Sequence, residues 1–302
     1  MDMNMDMDMK GNMKSFVLTL GLVIGFGVSA FSQDVAAIED SLSRYYKILA
    51  ESKNDALSDS TSQKMRNLFI QSFSFPETFI YPFEKLNMSR ITSSDGRVRL
   101  FNWNQPKQDG TYKYYCFVLN RDIKTGAYEW FELVDNQKEV DKIENKILNA
   151  DKWMGALYYE IIPLSTDKKN NSYIVLGWDG KDDLTTRKMV DILEFSGSKV
   201  RLGAAIFKTE LGSQKRLIYE YSNDISMSIK FYQKKKCIVM DHLAPKNPMM
   251  TGVYADYGPD GTYDLYQLEK GKFELHEKID ISEFAEDDER PYVDPRTRRR
   301  RR

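Results

Sequence analysis

From about residue 88 onward the chain is written in short runs of β-branched and aromatic residues cut by turn dipeptides, and this alternation constrains the fold more than any other feature. Asp95-Gly96, Asp109-Gly110, Asp179-Gly180 and Asp260-Gly261 are tight-turn signals, because aspartate and glycine tolerate positive φ. Between and beyond them lie strand-like runs at 98–103, 112–119, 128–133, 157–162, 173–178, 189–195, 200–207, 217–221, 226–232, 237–240 and 262–268. A last hairpin returns through Lys270-Gly271 into 273–276. No long helix interrupts the series, so the expectation is a mostly β fold: an antiparallel meander, a sandwich or a partial propeller. One inserted helix is expected at 140–148, on Val140, Ile143, Ile147 and Leu148.

Ahead of the strands the period changes. Ile38, Leu42, Tyr45, Tyr46 and Leu49 recur at helical spacing, and Met65, Leu68, Phe69 and Ser72 form a second set beyond a polar break at 58–62. The expectation is a short N-terminal helical hairpin over 33–75, with Ser60 and Ser62 as caps and a β-rich domain over 76–285. Pro76 and Pro82 bracket an extended aromatic stretch that helix should not enter.

The two ends speak of address. Lys10 and Lys14 precede an apolar run at 16–28, followed by Ser29 and Ala30, which reads as a signal peptide over 1–32 with 1–8 upstream of a start at Met9 or Met13. The apolar run falls short of the roughly 20 residues that a membrane-spanning helix needs. Export to the periplasm or the outside follows, with no integral membrane segment after cleavage. At the other end Glu286, Asp287, Asp288 and Glu289 precede Arg296 and Arg298, Arg299, Arg300, Arg301 and Arg302, so 286–302 reads as a solvated, disordered tail able to meet an anionic surface. A balance of 44 basic against 45 acidic side chains excludes a globally basic nucleic-acid binder, and no sequence-specific nucleic-acid binding is expected.

Three segments carry a resemblance. The runs Ser93-Ser-Asp-Gly-Arg-Val-Arg-Leu-Phe-Asn-Trp103, Trp153-Met-Gly-Ala-Leu-Tyr-Tyr-Glu-Ile-Ile-Pro163 and Leu176-Gly-Trp-Asp-Gly180 are similar to uncharacterised secreted proteins of the Bacteroidetes group of bacteria. The resemblance covers roughly 75–280 and implies export and a β-rich fold, with no catalytic residue to transfer.

Chemistry is sparsely signalled. With two histidines the chain cannot build a multi-histidine metal centre, and it carries no phosphate-cradling glycine loop or Cys-x-x-Cys pair, so no metal and no cofactor is expected. Asp256, Asp260 and Asp264 recur every fourth residue without matching a calcium loop. Trp103, Trp130 and Trp178, with Asp179, offer a sugar-stacking surface that suits a carbohydrate or another cell-envelope component. Asp241-His242, with Ser226 or Ser228, offers a hydrolase reading, and Glu129, Glu132 and Glu160 beside aromatics offer a glycosidase reading. Cys116 and Cys237 are a disulfide candidate, allowed by export. The leading expectation is an exported, non-catalytic binding or structural protein, and the alternative is a secreted hydrolase using carboxylates or His242.

Overall fold

A computed structural model describes residues 34–136, 142–165, 167, 171–209, 212–280 and 284. The signal-like segment, the arginine tail and the 140–141 part of the expected inserted helix lie outside these residues. The chain divides into two compact units, one drawing on 34–50 and 60–87 among the described residues and the other on 51–59 and everything from 88 onward. Among the described residues, no helix is long and apolar enough to cross a membrane.

The first unit is the helical hairpin. Helix α1 covers 34–51 and α2 is Asp55–Ser72. Val35, Ile38, Leu42 and Leu49 of α1 are buried, as are Met65 and Phe69 of α2. The break between the helices falls at 52–54, earlier than the polar run at 58–62 suggests. Asn54 is the reason: its Oδ1 accepts the Leu57 amide at 2.9 Å, so the helix starts there and carries Ser58, Thr61 and Ser62 as buried interior positions. After α2 the 76–87 stretch, with buried Phe79, Phe83 and Leu86, belongs to this unit. Glu39, almost fully buried, holds that stretch by accepting the Tyr81 hydroxyl at 3.0 Å and the Lys85 amide at 2.7 Å.

The second unit is β-rich, as the turn-punctuated text requires. Its described residues form sixteen strands in three sheets. The first sheet is a plain meander of β1 (Ser89–Thr92), β2 (Val98–Pro106), β3 (Tyr112–Arg121) and β4 (Tyr128–Val134). The second comprises β5 (Leu148–Asn149), β6 (Leu157–Pro163), β7 (Ser172–Asp179), β8 (Thr185–Ser196), β9 (Lys199–Leu202) and β12 (Leu217–Ser222), in the order β5-β9-β8-β7-β6, with β12 also on β8. The third comprises β10 (Phe207–Thr209), β11 (Gly212–Gln214), β13 (Ile229–Tyr232), β14 (Cys237–Pro245), β15 (Tyr257–Glu269) and β16 (Lys272–Ile279), in the order β11-β10-β16-β15-β14-β13. The strand ladders are antiparallel, with one parallel exception between β10 and β16.

The second sheet lies in the middle of a three-layer stack. From one face of β7 and β8, Tyr173, Val175, Met189 and Leu193 pack with Val98, Leu100, Cys116 and Val118 of the first sheet. From the other face Ile174, Leu176, Val190 and Ile192 pack with Ile229, Ile238, Met240, Tyr266 and Phe273 of the third. Each of these side chains contributes about 1.5–3 kcal/mol on burial. The middle strands are therefore covered on both sides, and β7 reads as an unbroken apolar run.

Two charged side chains of β8 are nonetheless fully buried, one on each face. Asp191 Oδ2 lies 2.9 Å from Nε of Arg216, and both side chains are sealed from solvent. The pair sits where β8 changes partner, with Thr185–Val190 laddered to β12 and Leu193–Ser196 to β9. Burial pushes the Asp191 carboxyl up and outweighs the pull of Arg216 in the other direction. Arg216 also donates to the carbonyls of Ile143, Lys146 and Leu202, tying the 143–146 segment to the sheet. That segment is a single 3-10 turn, Ile143–Asn145, running into β5, and not the regular helix expected over 140–148. On the opposite face the Lys188 ammonium stands 4.6 Å from the centre of the Tyr159 ring, which an irregularity between Tyr158 and Glu160 in the β6–β7 register aims there.

The cysteine expectation is corrected. Cys116 and Cys237 are free thiols, and they are buried in two different cores, one under the first sheet and one beneath Leu265 and Phe284. A disulfide needs Cα atoms within about 7 Å, which residues committed to separate cores do not offer.

Candidate functional site

The tryptophans come first, because the sugar-stacking expectation rested on them. Trp103 is 1% exposed and Trp178 4%. Trp103 stacks flat on Tyr115 at 4.8 Å, and Tyr112 meets Trp178 edge-on at 5.6 Å. Trp130, 39% exposed, presents an edge to Phe117. Two of the three rings are thus spent on packing, and the shared aromatic face does not form. The physical reason is that β2 and β7 are covered on both sides, so side chains pointing either way are interior.

Asp179 is likewise internal. Its Oδ1 accepts the Tyr114 hydroxyl at 2.9 Å and the Lys181 amide at 2.9 Å, while the same hydroxyl accepts the Gly180 amide at 2.7 Å. Burial, then the neighbouring Asp179 carboxylate, holds the Tyr114 hydroxyl well above its usual range. Next to this knot Glu220 binds Lys181, the Arg187 Nε at 2.9 Å and the Thr185 hydroxyl at 3.0 Å. Burial raises the Glu220 carboxyl, but those bonds outweigh it and hold the group below the ordinary carboxylate range. These residues form a rigid polar base beneath one end of the stack.

Several loops gather at that end. The β2–β3 turn meets the β7–β8 loop, since a Cβ on Gly110 would strike Asp183 and one on Gly180 would strike Tyr112. The β12–β13 loop joins them through Asn223, whose amide donates to the Leu184 carbonyl at 3.0 Å. Ile225 of the same loop packs against Gly258, at the start of β15. From there the 246–256 loop projects, exposing Met249 (90%), Met250, Val253 and Tyr254, and Leu184 is 70% exposed on its own loop.

A second constellation surrounds His242. The Asp260-Gly261 pair expected to make a turn lies inside β15, where the β14–β15 register slips between Asp241 and Leu243. The Asp260 carboxylate accepts the Thr262 amide and hydroxyl, which holds its pKa below the usual carboxylate range. This slip leaves His242 facing two carboxylates. Nδ1 lies 2.9 and 3.0 Å from the oxygens of Asp264, and Nε2 stands 4.0 Å from Asp260. A carboxylate offers only lone pairs, so Nδ1 carries the proton and donates it. The arrangement orients an imidazole, as a catalytic dyad does. No serine hydroxyl is bonded to it among the described residues: the Ser228 backbone is engaged with Asp241, whose carboxylate accepts the Ser228 amide. Of the three aspartates spaced by four, Asp256 turns away to bond Asn247, while Asp260 and Asp264 flank His242. Among the described residues no group of three or more His, Cys, Asp or Glu converges as a metal cage.

No family model, curated protein or solved structure matches this chain. The loop end and the His242 cluster therefore stand on their own geometry. Sequence reasoning singled out His242 but passed over the Met249-Met250 segment, whose signal, consecutive apolar residues between Pro248 and Gly252 in a turn-rich stretch, was legible.

Proposed function

We propose that this protein is an exported, non-catalytic contact protein, a stiff β-stack that presents the loops at one end to a component of the cell envelope. The observation that carries this reading is the 246–256 loop. Met249, Met250, Val253 and Tyr254 face solvent while several of the loop's backbone amides are bonded within it, which is the economy of a surface kept for a partner. The basic and apolar segment at 10–28 supports export.

The hydrolase alternative has the Asp264–His242 pair in its favour. Against it, the second ring nitrogen faces Asp260, and among the described residues no serine hydroxyl is bonded to the imidazole. The test is binding of the purified protein to isolated cell envelopes, run beside a panel of glycoside, ester and peptide substrates. The reading expects retention on the envelopes, loss of retention in Met249→Asp/Val253→Asp, and no turnover. Hydrolysis abolished by His242→Ala overturns it in favour of the alternative.

A further inference from the structure

Resting on the contact reading, we infer that the 246–256 loop is a shallow insertion wedge for a neutral, zwitterionic phospholipid surface. Three features point to lipid. The first is how the loop is closed on itself. Lys246 donates its amide to the Asp256 carbonyl at 3.0 Å across the neck, and Asn247 donates its own to the Asp256 carboxylate at 2.8 Å. Asn247 Oδ1 accepts the Met249 amide, the Gly252 amide reaches the Tyr257 hydroxyl, and the Thr251 hydroxyl donates to the Pro248 carbonyl. Met250 and Val253 close two further backbone bonds, to Asn247 and Met250. A segment that enters a headgroup region loses water, and backbone groups already bonded inside the loop make that transfer tolerable.

The second feature is size. Met249, Met250, Val253 and Tyr254 are a handful of exposed side chains on one loop. A specific protein interface buries about 800 Å² on each partner, which such a loop does not supply, whereas a bilayer takes exposed apolar groups without matching their shape. Tyr254, apolar in body and polar at its end, suits the boundary between headgroups and acyl chains.

The third feature is charge. The loops beside the wedge carry Asp182, Asp183 and Asp224, against Lys246 on the wedge itself and Lys181, which is paired with Glu220 and Asp182. An anionic surface would be repelled at this end, so the headgroup that fits is neutral overall.

The experiment uses the full chain, so that both ends are the same in every sample. Tyr254→Trp places a reporter on the loop, and Met249→Asp/Met250→Asp removes its apolar character. Because these positions are exposed, unchanged urea midpoints show that the variants fold. With phosphatidylcholine vesicles the Tyr254→Trp emission should shift to the blue relative to wild type and be quenched by brominated acyl chains. Co-sedimentation of the double aspartate variant with the same vesicles should weaken about tenfold or more. Adding phosphatidylglycerol should not deepen the reporter's blue shift, and binding that requires phosphatidylglycerol while the emission stays unshifted on either lipid locates the contact elsewhere and overturns the inference. An unshifted emission at saturating lipid, or a double aspartate variant that binds vesicles as wild type does, also overturns it. If emission is silent on lipid yet the aspartate variant is lost from whole envelopes, the contact reading stands and the lipid inference falls. If the variant binds envelopes unchanged, both fall.

Discussion

Replacing Arg216 by methionine tests how the middle sheet tolerates charge. The change leaves Asp191 fully buried without its cation and removes the donor from the carbonyls of Ile143, Lys146 and Leu202. Breaking a buried pair from one side costs about 3–5 kcal/mol, a large share of the roughly 5–15 kcal/mol that holds a typical domain together. With a urea slope of about 3 kcal/mol per molar, a loss of about 4 kcal/mol lowers the midpoint by about 1.3 M. Tryptophan fluorescence reads this directly, because Trp103, Trp130, Trp153 and Trp178 all lie in the β-rich unit. The pH dependence has a definite sign. Burial already raises the Asp191 carboxyl, and without Arg216 only the Ile192 amide, which donates to it, opposes that rise. A carboxyl raised in the native state favours folding below its unfolded value and loses that contribution as pH climbs through its folded value. The deficit of the variant is therefore smallest in acid and grows toward neutral pH. Adding Asp191→Leu removes the stranded charge and recovers part of the loss, leaving about 1–3 kcal/mol for the carbonyls. A single variant within about 1 kcal/mol of wild type at neutral pH would refute the reasoning, and a deficit that shrinks with rising pH would reverse its sign.

Two further outcomes are expected. Neither Cys116 nor Cys237 should react with a thiol reagent in the native protein, since burial raises both thiols, that of Cys237 to about 11. Two thiols per chain should appear on denaturation without reductant, and a count of zero would mean that they are bonded. Gly180→Ala should destabilise the β-rich unit by about 1–3 kcal/mol in the urea assay, because the new Cβ would sit 2.3 Å from the Tyr112 ring and 2.8 Å from that of Trp178. An alanine variant as stable as wild type would show that the β2–β3 turn yields freely.

The class of fold was legible because it rests on local chemistry. Asp109-Gly110 and Lys270-Gly271 both turn with positive φ at the glycine, and strands flank them where alternation placed them. The stacking of three sheets was not legible, since a strand covered on one face and a strand covered on two differ only in what happens at alternate positions. Trp178 reads as a ligand-stacking aromatic until Tyr112 is seen to meet it edge-on. Asp260-Gly261 misled for a related reason. The same dipeptide that reverses a chain also suits a register slip within one long strand, and the choice is made by Tyr257–Glu269 pairing on both sides. The His242–Asp264 contact joins positions 22 residues apart across that slip, a relation no spacing rule contains.

The double covering of β7 and β8 also dictates an order of events in folding. Until both neighbouring layers have closed over them, these strands present two sticky faces to water, and pairing with a stranger's strands competes with pairing at home. Truncated forms that stop before residue 217 keep the first sheet but lack β12 and the strands that shield the far side, so they should accumulate as insoluble material even though their remaining turns are intact. Solubility of this chain is thus a property of its last-synthesised third, and of how long the cell keeps the unfinished middle from meeting another copy.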